Sequence, residues 1–133
     1  MEKKIWGKKE RLIETASTVV DLLTLESDSF CSWHYHDFKY NMFFVLEGIV
    51  EIRMEKESKI LDAHSFFVVE PKIKHQFIAR SDAKMLEIMF TKPVLEQDII
   101  RFVQGGKFIN GIAYTEDELD ERGFNGTTEK DYD

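Results

Sequence analysis

The sequence predicts an all-β domain, a sandwich or barrel of short antiparallel strands. Three observations predict it. Apolar runs of strand length recur between residues 17 and 91, and several alternate apolar with polar side chains. Polar or Gly/Pro turn signals separate these runs at roughly eight- to twelve-residue intervals. The composition is 43% hydrophobic with eleven phenylalanines, enough to fill one core in a chain of 133 residues.

Taken in order, the first fifteen residues carry mixed charge, with Trp6 as an isolated apolar anchor. Residues 18–25 (Thr-Val-Val-Asp-Leu-Leu-Thr-Leu) are β-branched and apolar and read as a strand. A helix is the alternative there, because Val19, Leu22 and Leu23 also fit a 3.6-residue period. Ser27-Asp28-Ser29 is turn-like, residues 30–36 read as a second strand, and 37–39 as a loop. Residues 41–46 and 49–55 read as a hairpin about Glu47-Gly48. In its second arm Val50, Ile52 and Met54 alternate with Glu51, Arg53 and Glu55, as in a half-buried strand. Ile60-Leu61, 66–70, 75–79 and 85–90 supply the remaining strands, and Pro71 ends the third-last of these. Residues 94–102 have helical or irregular character, and Gly105-Gly106 and Gly111 loosen the chain. Thr115-x-x-Glu118 is a capping-box pattern with Gly123 as a stop, predicting a short helix over 116–122. The expected organisation is one domain over 1–103 (core 17–91) and an acidic, partly disordered extension over 104–133.

The formal charge is −7. Residues 116–133 hold eight acids against Arg122 and Lys130, so the extension carries about −6 and the body is near neutral. No basic stripe exists to meet phosphate backbones or anionic lipids, which argues against a nucleic-acid or membrane-surface partner. No apolar run approaches the ~20 residues of a membrane helix. The single cysteine, Cys31, excludes an internal disulfide and fits a reducing compartment. With no secretory pattern at the N-terminus, the expected location is the cytoplasm.

The chemistry-bearing feature is His34-Tyr35-His36, followed by Asn41 and Gly48 and answered by His75. In a strand, His34 and His36 leave the same face. Three of the four histidines thus stand at strand starts, and imidazole is the commonest neutral ligand of zinc, iron, nickel and copper. Phe43, Val45, Phe77 and Ala79 share their parity and should line the interior. Cys31 falls on the opposite parity and reads as a small buried apolar residue rather than a reactive thiol. Glu87 sits in an apolar run. It is either a solvated strand residue or, if it points inward, a general base with a raised pKa.

These residues carry a resemblance. His34-x-His36-x4-Asn41-x6-Gly48 resembles the first motif of the cupin superfamily, HxH-x3–4-E-x6-G, and residues 64–75 resemble its second, G-D-x-x-x-(I/V)-P-P-G-x-x-H. The resemblance implies an antiparallel jelly-roll β-barrel (a double-stranded β-helix) with a short C-terminal helical or irregular extension. It implies a divalent transition metal (Zn, Fe, Mn or Ni) held by His34, His36, Asn41 and His75, and pairing as a homodimer. Three positions depart from the pattern. Asn41 stands where the family has glutamate, offering a carbonyl oxygen without charge. It is either a weak ligand or a hydrogen-bonded neighbour that leaves a three-histidine site. His64 and Lys72 stand where the family has glycine, and neither reaches positive φ without cost. His64 itself lies in a turn away from the mouth.

A narrower resemblance lies at the ends. Lys4-Ile5-Trp6-Gly7-x-x-Glu10 and Glu96-Gln97-Asp98-Ile99-Ile100-Arg101-Phe102 resemble the opening "R-P-W-G" and closing "E-D-D-I-V-R" of the cupin domain in type II mannose-6-phosphate isomerases. There the position of His34 is often glutamine and that of Asn41 glutamate. This resemblance implies a metal-dependent sugar-phosphate isomerase, with a sugar phosphate as substrate and Lys39, Lys72 and Lys74 near the rim. The alternatives are a three-histidine non-haem iron dioxygenase and a non-catalytic small-ligand-binding cupin.

Overall fold

The computed structural model describes residues 1–91 and 102–123. The chain forms two compact units, Met1–Pro93 and Val94–Asp133. Among the described residues, no helix is long and apolar enough to cross a membrane.

The first unit is built from nine strands: β1 (Glu2–Lys4), β2 (Gly7–Glu14), β3 (Thr18–Leu25), β4 (Tyr40–Glu47), β5 (Val50–Met54), β6 (Ser58–Leu61), β7 (Phe66–Val69), β8 (His75–Ala79) and β9 (Ala83–Phe90). They form an antiparallel six-stranded sheet, β1-β2-β3-β9-β4-β7, and a three-stranded sheet, β6-β5-β8. The core lies between them. Leu23, Leu25, Phe43, Val45, Val69 and Met85 of the larger sheet meet Val50, Ile52, Leu61, Phe77 and Ala79 of the smaller. Every one of these side chains follows strand alternation, so the inward parity is set by the sequence itself.

The first residues, read from the sequence only as mixed charge around Trp6, form two strands. β1 and most of β2 are exposed, and their lysines and glutamates solvate a sheet edge. The hairpin is tied down at its corner. Trp6 is buried with its ring edge-on to Phe77 at 5.2 Å, and its carbonyl accepts the Glu26 N–H at 2.8 Å. Gly7 adopts φ 145°, and a Cβ there would lie 1.8 Å from the Thr24 carbonyl oxygen.

The arms expected to form a hairpin about Gly48 instead enter different sheets. β4 pairs with β7 and β9, whereas β5 pairs with β6 and β8. Alternation cannot distinguish these outcomes, because it reports which face is buried and not which strand lies alongside. The corner is held by the β8–β9 turn: Ile49 N–H donates to Ser81 Oγ and Arg80 N–H to the Ile49 carbonyl, each at 2.9 Å.

Residues 30–36 are not a regular strand either. They follow β8 through isolated bridges, Phe30 to Ile78 and His34 to His75. The interruption brings Cys31 to the core side along with His34, against strict alternation. Cys31 is buried as expected, its sulfur accepting the Phe77 N–H at 3.2 Å. Burial pushes its thiol up to about 11.

His64 and Lys72 hold φ of 70° and 68°. Both therefore keep the left-handed backbone of the glycines they replace, at a cost of roughly 1–2 kcal/mol each.

In the second unit, β10 (Gly106–Ile109) and β11 (Ile112–Thr115) form a hairpin where glycine-loosened chain was expected. Asn110 and Gly111 both have positive φ, the requirement of a two-residue type I′ turn. The helix α1 (Glu116–Arg122) spans the expected residues, with its Thr115–Glu118 capping box and a left-handed Gly123. The expectations for residues 94–101 and for the last ten residues lie outside the described residues.

Candidate metal centre

His75 opens β8 and is almost fully buried. It pairs with Met54 on one side and with His34 on the other. His34 and His75 exchange both backbone hydrogen bonds, at 3.1 and 2.8 Å, which holds their side chains on one face. His36 is fixed by Lys72, whose N–H donates to the His36 carbonyl at 2.6 Å. The three rings consequently converge. Their centroids lie 4.7 Å (His34–His75), 5.0 Å (His34–His36) and 5.6 Å (His36–His75) apart. One ring nitrogen from each falls within 4.8 Å of the others.

The tautomers follow from the partners. His75 Nδ1 lies 2.8 Å from the Ile73 carbonyl oxygen, and His34 Nδ1 lies 2.9 Å from that of Ser32. A carbonyl only accepts, so each Nδ1 carries a proton, and in the neutral ring Nε2 is left to present a lone pair. Such backbone anchoring is the usual outer support of a metal-binding imidazole. Burial holds the pKa of His36 and His75 below the ordinary imidazole value, and the neighbouring histidines add to it. Both rings therefore favour the neutral form that binds metal.

Asn41, the second residue of β4, is fully buried. Its Nδ2 lies 3.4 Å from His36 Nε2, 3.3 Å from His75 Nε2 and 3.3 Å from Glu87 Oε2. Its Oδ1 is buried with no hydrogen-bond partner. The amide thus directs its NH2 group at the imidazoles while Glu87 accepts from it. An amide nitrogen is not a metal ligand. To offer Oδ1 instead, the amide must turn, and its oxygen would then face the Glu87 carboxylate.

Glu87 points inward, resolving the alternative left open by the sequence. It stands opposite Phe43 on β4 and opposite Asp21 on β3. Burial raises its pKa, the hydrogen bond from Asn41 opposes that rise, and Asp21 adds to it. Asp21 is fully buried. Its Oδ1 accepts from Arg11 Nε at 2.6 Å, and Lys9 Nζ lies 4.0 Å from its Oδ2. A charged row, Arg11–Asp21–Glu87, thus crosses the inner face toward Asn41. Asp21 was not singled out from the sequence, although it shares parity with Leu23 and Leu25. That placement was the available signal. His64 lies apart from the cluster, exposed in a turn with its ring stacked on Phe44.

The cupin domain family model matches residues 22–90, just over half of the chain. The chain belongs to the cupin family. Solved cupins share its fold at low identity. An RmlC-like cupin from Shewanella frigidimarina is 17% identical, with a TM-score of 0.61 over 74% of this chain and 86% of that one. TT1209 from Thermus thermophilus is 20% identical, with a TM-score of 0.60 over 65% and 84%. KdgF from Halomonas sp. is 16% identical, with a TM-score of 0.59 over 64% and 78%. Among curated proteins, none has a significantly similar sequence. In this cupin the histidine cluster coincides with the HxH and distal histidine of the family motifs, and the donor set suits a first-row transition metal. Three imidazoles converge, two with their outer nitrogens already engaged, beside an orphaned amide oxygen.

Proposed function

We propose that this cupin holds one divalent transition metal on His34, His36 and His75 and presents it to a small oxygen-bearing metabolite. The observation that carries the reading is the convergence of three imidazole nitrogens within 4.8 Å. A bound metal would act as a Lewis acid on the metabolite's oxygens. The chain supplies the rest. The Ser32 and Ile73 carbonyls orient two of the rings, and Asn41 sets the polarity of the inner wall. Glu87, whose half-buried carboxyl accepts from Asn41, can hold a proton. Isomerisation of a sugar phosphate is the activity we favour within this reading, in a cytoplasmic, homodimeric jelly-roll barrel. Trp6 and Gly7 contribute less to that choice than their resemblance implies, because a buried ring and a forbidden Cβ account for them structurally.

A second reading, a three-histidine iron dioxygenase, is favoured by one observation. The Asn41 NH2 faces the imidazoles, so the donor set is three histidines without a carboxylate and leaves positions open for a chelating substrate and O₂.

Metal analysis of protein purified without chelators tests the shared core. About one equivalent of zinc, iron, manganese or nickel is expected, lost in His75→Ala. Less than roughly a tenth of an equivalent, with no thermal shift on adding any of the four, would leave a cupin without a metal. Aldose–ketose interconversion of sugar phosphates, against iron-dependent oxygen uptake, then separates the two activities.

A further inference from the structure

Strand pairing leaves Asn41 little freedom. β4 is flanked on both sides, with Asn41 opposite Val69 of β7 and Met89 of β9, and the side chain is fully buried. Its amide has two N–H bonds to place. Nδ2 lies 3.3 Å from Glu87 Oε2, which accepts one of them. The other is directed at the ring nitrogens, 3.3 Å from His75 Nε2 and 3.4 Å from His36 Nε2. His75 Nδ1 is already engaged by the Ile73 carbonyl, so Nε2 is the atom this ring offers to a metal.

A metal held by these rings claims the lone pairs that the second N–H now uses. The donor is then left at a fully buried position without an acceptor, a costly state. Turning the amide over gives no relief, because Oδ1 would face the Glu87 carboxylate. A ligand atom that enters beside the ring nitrogens restores the acceptor. Imidazole binds a metal as a neutral group, so a divalent ion keeps its whole charge. An anionic oxygen meets both demands, since it offsets that charge and accepts from the amide. Hydrogen bonds to a charged acceptor are also roughly twice as strong as neutral ones.

We propose that Asn41 is not a metal ligand but the hydrogen-bond donor that selects the metal's partner, a small metabolite bound through a carboxylate. The inference rests on the metal-site reading and on neither of its two activities.

Cobalt(II), added to the full chain in place of the native ion, tests it. The visible absorption of cobalt reports its uptake, and changes in that absorption report acetate or imidazole entering the open position. Asn41→Leu keeps the size of the side chain and removes both polar atoms. It should hold cobalt within about threefold of the parent, bind acetate about tenfold more weakly, and bind imidazole, which accepts no hydrogen bond once coordinated, about equally. Asn41→Asp should hold cobalt more tightly, because its carboxylate can coordinate, and should also bind acetate about tenfold more weakly. Acetate bound equally by the parent and Asn41→Leu would overturn the inference. So would a loss of cobalt affinity of about a hundredfold in folded Asn41→Leu, which would make Asn41 a ligand. Should Asn41→Leu not fold, Asn41→Asp decides, and parental acetate affinity there overturns the inference. A parent that takes up cobalt but whose spectrum ignores acetate sinks the inference and spares the metal reading. A parent that takes up neither cobalt nor zinc sinks both.

Discussion

Asn41→Asp probes the contact on which the donor set turns. Asn41 Nδ2 lies 3.3 Å from Glu87 Oε2. Aspartate has the same shape but replaces that donor with an oxygen, so two carboxylates would meet where Asn41 is fully buried. Two unit charges at this separation repel by about 5 kcal/mol at an effective dielectric constant near 20. The protein escapes part of this by binding a proton. Lifting one carboxyl from an ordinary value of about 4.3 to neutrality limits the cost to about 4 kcal/mol at pH 7. The metal-free variant should therefore lose about 3–4 kcal/mol at pH 7, or roughly 15–25 °C in melting temperature for a unit of this size. A carboxyl whose pKa is raised by folding contributes stability that is complete below its unfolded value and is lost as pH rises through its folded value. The deficit relative to the parent should accordingly shrink toward pH 4.5. Zinc should also reverse it, because the new anion faces the imidazoles. Urea unfolding in chelator at pH 7 and pH 4.5, parent beside variant, gives the numbers. A metal-free variant within about 0.5 kcal/mol of the parent at pH 7 would refute the Asn41–Glu87 contact and the amide orientation drawn from it.

Two further outcomes are expected. His36 and His75 have pKa values lowered by burial, so the unfolded chain takes up protons first on acidification. Their share of stability is intact above an ordinary imidazole value of about 6.5 and declines as pH falls below it. Urea midpoints of metal-free Glu87→Gln, which removes the opposing carboxyl titration, should fall between pH 7.5 and pH 5, and an unchanged midpoint would contradict buried neutral rings. Phe43 is 1% exposed and lies edge-on to both His75 and Phe77, at 6.0 and 6.2 Å. Phe43→Ala should cost about 3–5 kcal/mol and weaken zinc binding by freeing the His75 ring. A loss under about 1 kcal/mol in urea unfolding would mean that Phe43 is not a packed core residue.

What the sequence made legible was burial parity and local chemistry. Thr18–Leu25 and Glu116–Arg122 have the bounds their residues announce, the first from β-branching and the second from a capping box. Even the departures at His64 and Lys72 were readable, since the backbone there remains that of glycine. Pairing was not legible. The arms about Gly48 alternate as a hairpin would, yet strands from elsewhere in the chain claim each of them. Nor did the N-terminal strands show themselves, because an edge wetted on both faces has no apolar period to detect. At the candidate site the histidines were found by spacing, whereas Glu87 could be placed only by the register of β9 against β4, and Asp21 was concealed among aliphatic neighbours.

Cys31 offers a different use of the fold. With its thiol pushed up to about 11, only about one molecule in ten thousand carries a thiolate at pH 7. The native sulfur should ignore oxidants and alkylating reagents and should not compete with the imidazoles for a soft ion, although it lies three residues from His34. Since the chain has no other cysteine, labelling by iodoacetamide counts openings of the layer between the sheets. The unmodified protein thus carries its own single-site gauge of how often its interior is breached.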